Sequence, residues 1–471
     1  MIWFIILAAF ILRIISLNQS LWLDESINVL AAKNYSFIGM VTEYAIADFH
    51  PPGFFIILWF WTKLFGINEI AVRIPSVIFG VSAVYITYLI GKKLYSKNLG
   101  IIGSLLLAVN PLHIYYSQDA RMYSLATLAV AVNILLFIKL LKGEKLNLVL
   151  LILSNLAVFA SDYVAYFIFP AQFIFLLIYK KKDLLKKYVL SVVGAVVLGL
   201  WWIPIFIKQL DMGASTAAQL PAWKFIVGAF DPKALPLTFV KFIIGRISYH
   251  DKLIYGFMLL PITLIFAYLL YRGIKFADKF NRKFLIIWLA VPISLATLVS
   301  FMIPIYSYFR VLYTIPSFLL LISLGILSFR SRLRYFFLTT VALIEIISAS
   351  IYLSNPAFQR EDWRGLVDFL RTKVSSITIF ESSGNLPPFD YYARGEINAR
   401  GALKNFPAKD DSDLADLENM LKDFKNVYLV NYLVDISDPN RLVGIKLESM
   451  GYKQVDILDF NGVGFLYNFR K

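Results

Sequence analysis

The chain has 471 residues; 59% are hydrophobic, 16% are charged, none is cysteine, and the formal net charge is +15. A mean hydropathy of +0.68 excludes an ordinary soluble domain and marks a polytopic membrane protein. The missing cysteines exclude disulfides, thiol catalysis and thiolate metal sites, and three histidines (His50, His113, His250) leave little for a His-rich metal site.

In chain order, apolar runs of membrane-spanning length are predicted near 2–17, 72–91, 100–117, 122–139, 146–161, 163–180, 188–207, 253–271, 284–303, 311–329 and 335–353. The first run lacks a small-residue cleavage site and is interrupted by Arg13, so it reads as a retained span. The run GFFIILWFWTKLF at 53–65 is too short to cross a hydrocarbon core of roughly 30 Å. It reads as an interfacial helix on the outer face, with Trp59, Trp61, Phe54 and Phe55 at the headgroup boundary.

Charge orients this ladder. Residues 356–471 hold 15 Lys/Arg against 17 Asp/Glu, leaving 31 against 14 in residues 1–355. The excess does not point to nucleic acid, because it sits in short loops between apolar runs. Loops 91–97, 139–145, 180–187, 271–283 and 330–334 together carry 19 Lys/Arg. Placing all five in the cytoplasm satisfies the positive-inside rule. The expectation is about eleven spans in a multi-pass plasma-membrane protein, with N-terminus cytoplasmic and C-terminus extracytoplasmic. Segments 18–71, 117–121, 208–252 and 302–310 then lie outside. Two domains are expected: a transmembrane domain over 1–355 and an extracytoplasmic α/β domain over 356–471. In the latter, 376–380, 426–434, 454–460 and 463–469 read as strands and 361–373, 414–424 and 438–450 as helices. It has no Gly-rich phosphate loop, so no catalysis is assigned to it.

Carboxylates gather at the outer ends of the spans, where charge is costly. Asp24 and Glu25 follow the first span, and Asp119 and Arg121 sit in SQDARMYSL at 117–125. Sugar transfer from a polyprenyl phosphate needs this mixture. The acceptor hydroxyl is a poor nucleophile and requires a base, and the departing phosphate requires cations. Asp24 or Glu25 is the candidate base, although LWLDESINVLAAKN equally suits a helix start with an acidic cap. Asp119 is a second acidic candidate, or half of a local ion pair with Arg121. His50, held extended before Pro51 and Pro52, suits a phosphate contact or simple loop packing. Arg310 suits a lipid phosphate or a snorkelling anchor. Arg13 and Glu345, inside spans, are unusual and have no partner legible in the sequence.

Taken together, LWLDES at 21–26, HPPGFF…LFGINEIAVRIPSVIFG at 50–80, NPLHIYYSQDARMYSLA at 110–126, FRVLYTIPSFLLLISLGI at 309–326 and EDWRGLVDFL at 361–370 resemble the polyprenyl-phosphate-dependent glycosyltransferases of the GT-C fold. The nearest group is the protein O-mannosyltransferases with the bacterial aminoarabinose transferase of lipid A. The resemblance implies an α-helical polytopic GT-C membrane protein, with outer juxtamembrane helices and a small C-terminal α/β domain. It implies an inverting transferase that moves a sugar, such as mannose, from a polyprenyl or dolichyl phosphate to an extracytoplasmic hydroxyl. By the same resemblance Asp24 is the base, Asp119 the second acidic position, and His50 and Arg310 phosphate contacts, with Val311 where relatives commonly have Tyr; Arg121, beside Asp119, is assigned to the phosphate with them. No cofactor is implied and a divalent metal is not favoured. Partners are the lipid-linked donor, membrane lipids, and a glycolipid, glycan or protein acceptor. The C-terminal segment lacks the trefoil-like domain of eukaryotic protein O-mannosyltransferases, which weakens a protein acceptor. The competing reading is a secondary transporter or lipid flippase, which predicts internal repeats and ionisable groups at the bilayer midplane.

Overall fold

The structure is a computed structural model that describes residues 1–219, 223–224, 227–373, 375–414 and 416–471. It divides into two compact units. The first comprises Met1–Leu17, Tyr35–Ala214 and Val227–Ser354; the second comprises Asn18–Asn34, Ser215–Ile226 and Asn355–Lys471. The α/β unit thus begins at Asn355 and also takes in 18–34 and 215–226, two stretches that the sequence places with the membrane half.

The first unit is a helical membrane domain. By length and composition, six of its described helices can cross a membrane: Glu69–Leu94, Tyr123–Leu141, Lys182–Gln219, Lys252–Phe276, Lys279–Val299 and Ser331–Ser354. The pair Lys97–Val109 and Pro111–Ser117, bent by 63°, makes a seventh if counted as one span. Shorter apolar helices cover Ile2–Ile14, Gly53–Phe65, Leu148–Ser161, Val164–Ile178, Ala234–Ile244 and Leu312–Leu327. Each of the eleven predicted runs coincides with a helix, and 53–65 is a separate short one. Segment 208–252, expected as a long outer segment between spans, is partly helical. The helix before it runs on to Gln219, and Ala234–Ile244 packs on Pro111–Ser117 and on helices 252–276 and 331–354. Its eleven residues are too few to register as a span, which is why hydropathy overlooks it. Residues 220–222 and 225–226 of that segment lie outside the described residues.

Lipid supplies no water to satisfy backbone, so helices meet by close packing and by internal hydrogen bonds. At Gly273 an added Cβ would lie 2.0 Å from the carbonyl of Leu321, so only glycine permits that crossing. The bend at Asn110–Pro111 frees carbonyls that must find donors. Arg13, fully buried, supplies them: Nη1 donates to Ala108 O at 3.0 Å and Nη2 to Leu107 O at 3.2 Å. The same guanidinium donates to Ser117 Oγ at 3.1 Å and meets His113 Nδ1 at 2.7 Å. Gly80 makes room, since a Cβ there would lie 2.1 Å from Ser117 Oγ. Asn110 caps the second helix through His113 N–H, and its amide donates to Phe242 O at 2.8 Å and Glu345 Oε1 at 3.0 Å. The two unusual span residues, Arg13 and Glu345, therefore both brace this bend.

The second unit has a five-stranded sheet: β1 (Ser376–Phe380), β2 (Ala399–Gly401), β3 (Asn426–Asn431), β4 (Lys453–Phe460) and β5 (Gly464–Arg470). The order is β2-β1-β3-β5-β4. Strands β1, β2 and β3 are parallel, and β5 runs antiparallel to β3 and β4. All four predicted strands are present. The three-residue edge strand β2 and the helix Pro387–Ala393 are additional; neither is long enough to show a hydrophobic period. Core residues Trp363, Leu366, Val367, Phe380, Phe389 and Leu466 lie on one face, with Leu23 of the first loop packed against them.

Candidate active site

In the first unit the site grows from the brace at Asn110. The helix Pro111–Ser117 ends in the turn carrying Asp119 and Arg121. Gln118 fixes that turn by donating from Nε2 to Arg13 O at 3.0 Å and Ile15 O at 2.7 Å, and its Oε1 accepts from Tyr352 Oη at 2.6 Å. Arg121 is 3% exposed, so its charge must be answered inside the protein.

Asp48 answers it. Arg121 Nη1 donates to Asp48 Oδ2 at 2.9 Å. Asp48 Oδ1 meets His50 Nδ1 at 2.6 Å, and Arg121 Nη2 lies 3.5 Å from the same ring nitrogen. Phe49 adopts φ 65°, a left-handed turn that folds Asp48 back towards His50. Pro51 and Pro52 hold the chain beyond. Gln209 clamps the loop by donating to His50 O at 3.1 Å and to Ala45 O, and Tyr163 donates to Gln209. Burial alone would raise the Asp48 carboxyl; the charges of Arg121 and His50, with their hydrogen bonds, outweigh it and bring it down to about 2. Asp48 is therefore an anion at any working pH. It anchors Arg121 and pins His50 Nδ1, leaving Nε2 with no hydrogen-bond partner among the described residues.

A second group adjoins this turn. Arg246 follows helix Ala234–Ile244, donates to Tyr115 Oη and lies 4.5 Å from that ring's centroid. Asp119, Tyr116 and Tyr308 are within electrostatic reach of Arg246. Phe309 packs on Tyr116 and Tyr123, with centroids at 5.7 and 5.2 Å, which seats the 308–310 segment beside them. Arg310 is half-buried; its nearest acceptors among the described residues, Pro304 O and Ile305 O, lie at 3.5 and 3.4 Å.

The structure thus joins His50 to Arg121 through Asp48, and places Asp119 near Arg246. Asp48 and Arg246 were not singled out in the sequence. The signal for Asp48 was an acidic residue two places before a His-Pro-Pro; Arg246 had none beyond its charge. Asp24 and Glu25 belong to the second unit. They begin helix Leu23–Asn34, where buried Glu25 accepts from Trp22 N–H at 3.4 Å, the reciprocal half of a capping box. Asp24, one position earlier, is half-buried. Among the described residues, no three His, Asp or Glu side chains are grouped to hold a metal ion.

Comparison with known proteins bears on this arrangement. Residues 49–206, which carry Asp119, His50 and Arg121, match the family described as dolichyl-phosphate-mannose-protein mannosyltransferase. Over 99% of this chain and 97% of the other, the structure superposes on that of ArnT from Cupriavidus metallidurans bound to undecaprenyl phosphate, with TM-score 0.57 and 11% identity.

The fold is GT-C.

The oligosaccharyltransferase of Archaeoglobus fulgidus, in its complex with Zn and sulfate, has the same architecture at TM-score 0.54 and 12% identity, over 98% of this chain and 72% of the other. An uncharacterised protein of Aquifex aeolicus is 25% identical over 351 residues, which span 72% of this chain and 66% of that protein. The resemblance to GT-C polyprenyl-phosphate-dependent glycosyltransferases, read first from scattered motifs, therefore holds for the family match and for the fold of nearly the whole chain. This GT-C chain is a multi-pass membrane protein.

Proposed function

We propose that this GT-C protein is an inverting glycosyltransferase that moves a sugar from a polyprenyl or dolichyl phosphate to an acceptor hydroxyl on the extracytoplasmic side. The observation that carries the reading is the Asp48–His50–Arg121 cluster. It is a pre-formed, enclosed set of donors, and His50 and Arg121 lie in the stretch that matches a family named for a lipid-phosphate sugar donor. Leaving-group phosphate is a weak base, so fixed cations stabilise its departure better than a proton does. His50 Nε2, Arg121 and, beside the tyrosines, Arg246 and Arg310 are assigned to that phosphate. Asp24 is assigned as the base that takes the acceptor proton while the hydroxyl oxygen attacks the anomeric carbon. The C1–O bond to phosphate breaks, and its electron pair leaves with the carrier. Asp119 serves as the anion that orients Arg246.

The donor sugar is proposed to be a hexose such as mannose, following the family match. Among glycolipid, surface glycan and protein, a glycolipid or surface glycan is favoured as acceptor, for want of a trefoil-like domain. The positive-inside rule supports a cytoplasmic N-terminus in the plasma membrane. Guanidinium and imidazole groups, not a metal ion, are assigned to the phosphate.

The test is transfer from purified polyprenyl-phosphate-mannose in nanodiscs, followed by mass spectrometry, with native membrane lipid extract as acceptor. Wild type should release carrier phosphate and add one hexose mass. Asp24→Asn should lower turnover by about 10²–10⁴-fold with the fold intact. No turnover across several lipid-phosphate sugars, with lipid moved between leaflets instead, would replace the enzyme with a transporter.

A further inference from the structure

The C-terminal α/β unit was assigned no part in the chemistry, but its first corner is built around the loop that carries Asp24. Five bonds tie residues 18–23 to it. Asn18 O accepts from Arg364 Nη2 at 3.0 Å, and Gln19 Oε1 from Arg360 N at 2.9 Å. Ser20 Oγ accepts from Arg364 N at 3.2 Å, and Leu21 N donates to Tyr392 Oη at 2.8 Å. Leu23 N donates to the carboxyl of Glu361. Helix Leu23–Asn34 then packs on Pro387–Ala393.

Glu361 is the centre of the corner. Its Oε2 accepts from Trp363 Nε1 at 2.7 Å and its Oε1 from Tyr432 Oη at 3.0 Å. Asp24 acts electrostatically on both Glu361 and Tyr432. Arg360 lies over the Trp22 ring at 5.8 Å and Arg364 over Tyr392 at 5.7 Å. The donors to Glu361 are the indole, the phenol and the Leu23 amide, and the Asp24 carboxylate acts on it through space.

We infer that Glu361 is a positioning residue for Asp24: held by Trp363 and Tyr432, it fixes the first turn of the Asp24 helix through Leu23 N–H and forms with Asp24 an electrostatically coupled acidic pair. The inference rests on Asp24 being the base. Enclosure first, and the Asp24 charge second, outweigh the hydrogen bonds and push Glu361 up to about 7. When Asp24 takes the acceptor proton, the repulsion on Glu361 disappears.

Two measurements on the full-length protein in nanodiscs test this. The first is pH-difference infrared spectroscopy of wild type, Glu361→Gln and Asp24→Asn. The protonated-carboxyl band missing from Glu361→Gln identifies Glu361. It should titrate near 7 in wild type and about one pH unit lower in Asp24→Asn, a tenfold change in its ionisation constant. A band that titrates identically in both overturns the pair, whatever the enzyme's activity. The second is the pH profile of kcat with polyprenyl-phosphate-mannose. Wild type should inflect where Glu361 ionises. Glu361→Gln should lose that inflection with donor KM unchanged, and Glu361→Asp should restore it. A Gln variant that keeps the wild-type profile and kcat leaves Glu361 merely structural and overturns the positioning role. If transfer survives Asp24→Asn while the infrared shift is present, the base assignment has failed, and the positioning role with it, although the acidic pair stands.

Discussion

Two enclosed carboxyls, one in each unit, have opposite fates. Asp48 sits between Arg121 and His50 and is held down to about 2. Glu361 sits among an indole, a phenol and an amide, with a carboxylate nearby, and is pushed up to about 7. Loss of hydration pushes both the same way, so the partners decide the outcome. A carboxyl given cations becomes a permanent anchor for the side chains it holds. One given only neutral donors keeps a proton near neutrality. In the proposed reaction the first suits the departing phosphate and the second suits the base.

The contrast can be broken from either end. The largest effect is expected from Arg121→Ala, which removes both a proposed phosphate donor and the main counter-charge of Asp48. Turnover should fall by about 10²–10³-fold in the mannose-transfer assay. Asp48→Asn keeps the shape but loses the anion, so His50 loses the group that pins Nδ1. A charge-assisted hydrogen bond is worth roughly 1.5–3 kcal/mol, or about 10–100-fold in turnover. A smaller fall would mean that Asp48 O, 2.8 Å from Nδ1, and the Gln209 clamp hold His50 without the carboxylate.

Thermal unfolding against pH should show the contrast directly, because the two groups have opposite linkage. Asp48 is lowered on folding, so its contribution is fully present above its ordinary value of 3.8 and is lost as pH falls through about 2. That loss is roughly 2 kcal/mol and should be absent in Asp48→Asn. Glu361 is raised from 4.5 to about 7, so the folded state binds its proton more tightly and stability falls as pH rises across that window. Glu361→Gln should flatten that slope and leave the acid one unchanged. The smallest change is expected from Gln209→Ala, which removes the clamp on His50 O and Ala45 O. It should cost about 1 kcal/mol in unfolding free energy, with a rise in donor KM larger than any fall in kcat.

Much of this was legible in the sequence. The eleven apolar runs became helices because composition over some twenty residues is a local property that tertiary contacts rarely override. The capping role open to Asp24-Glu25 resolved into Glu25 at the cap, as an acidic residue at the third helical position allows. His50 and Arg121 were named, but not what joins them. Asp48 lay in plain view two residues before His50, and only the left-handed turn at Phe49 makes them neighbours. Strand β2 was overlooked because three residues carry no period.

The amino-acid sequence by itself determined the membrane class, the helical ladder, the strands of the C-terminal unit and the residue types at the span ends. Each is written in short-range pattern, where hydrophobicity and charge act residue by residue. Tertiary structure alone decided which charges meet. Arg13 braces a bend about a hundred residues away, Asp48 reaches Arg121 across 73 positions, and Gln19 binds Arg360 across 341. Whether a carboxyl is an anchor or a proton holder depends on neighbours that distant, because the field that sets its charge acts through space and not along the chain.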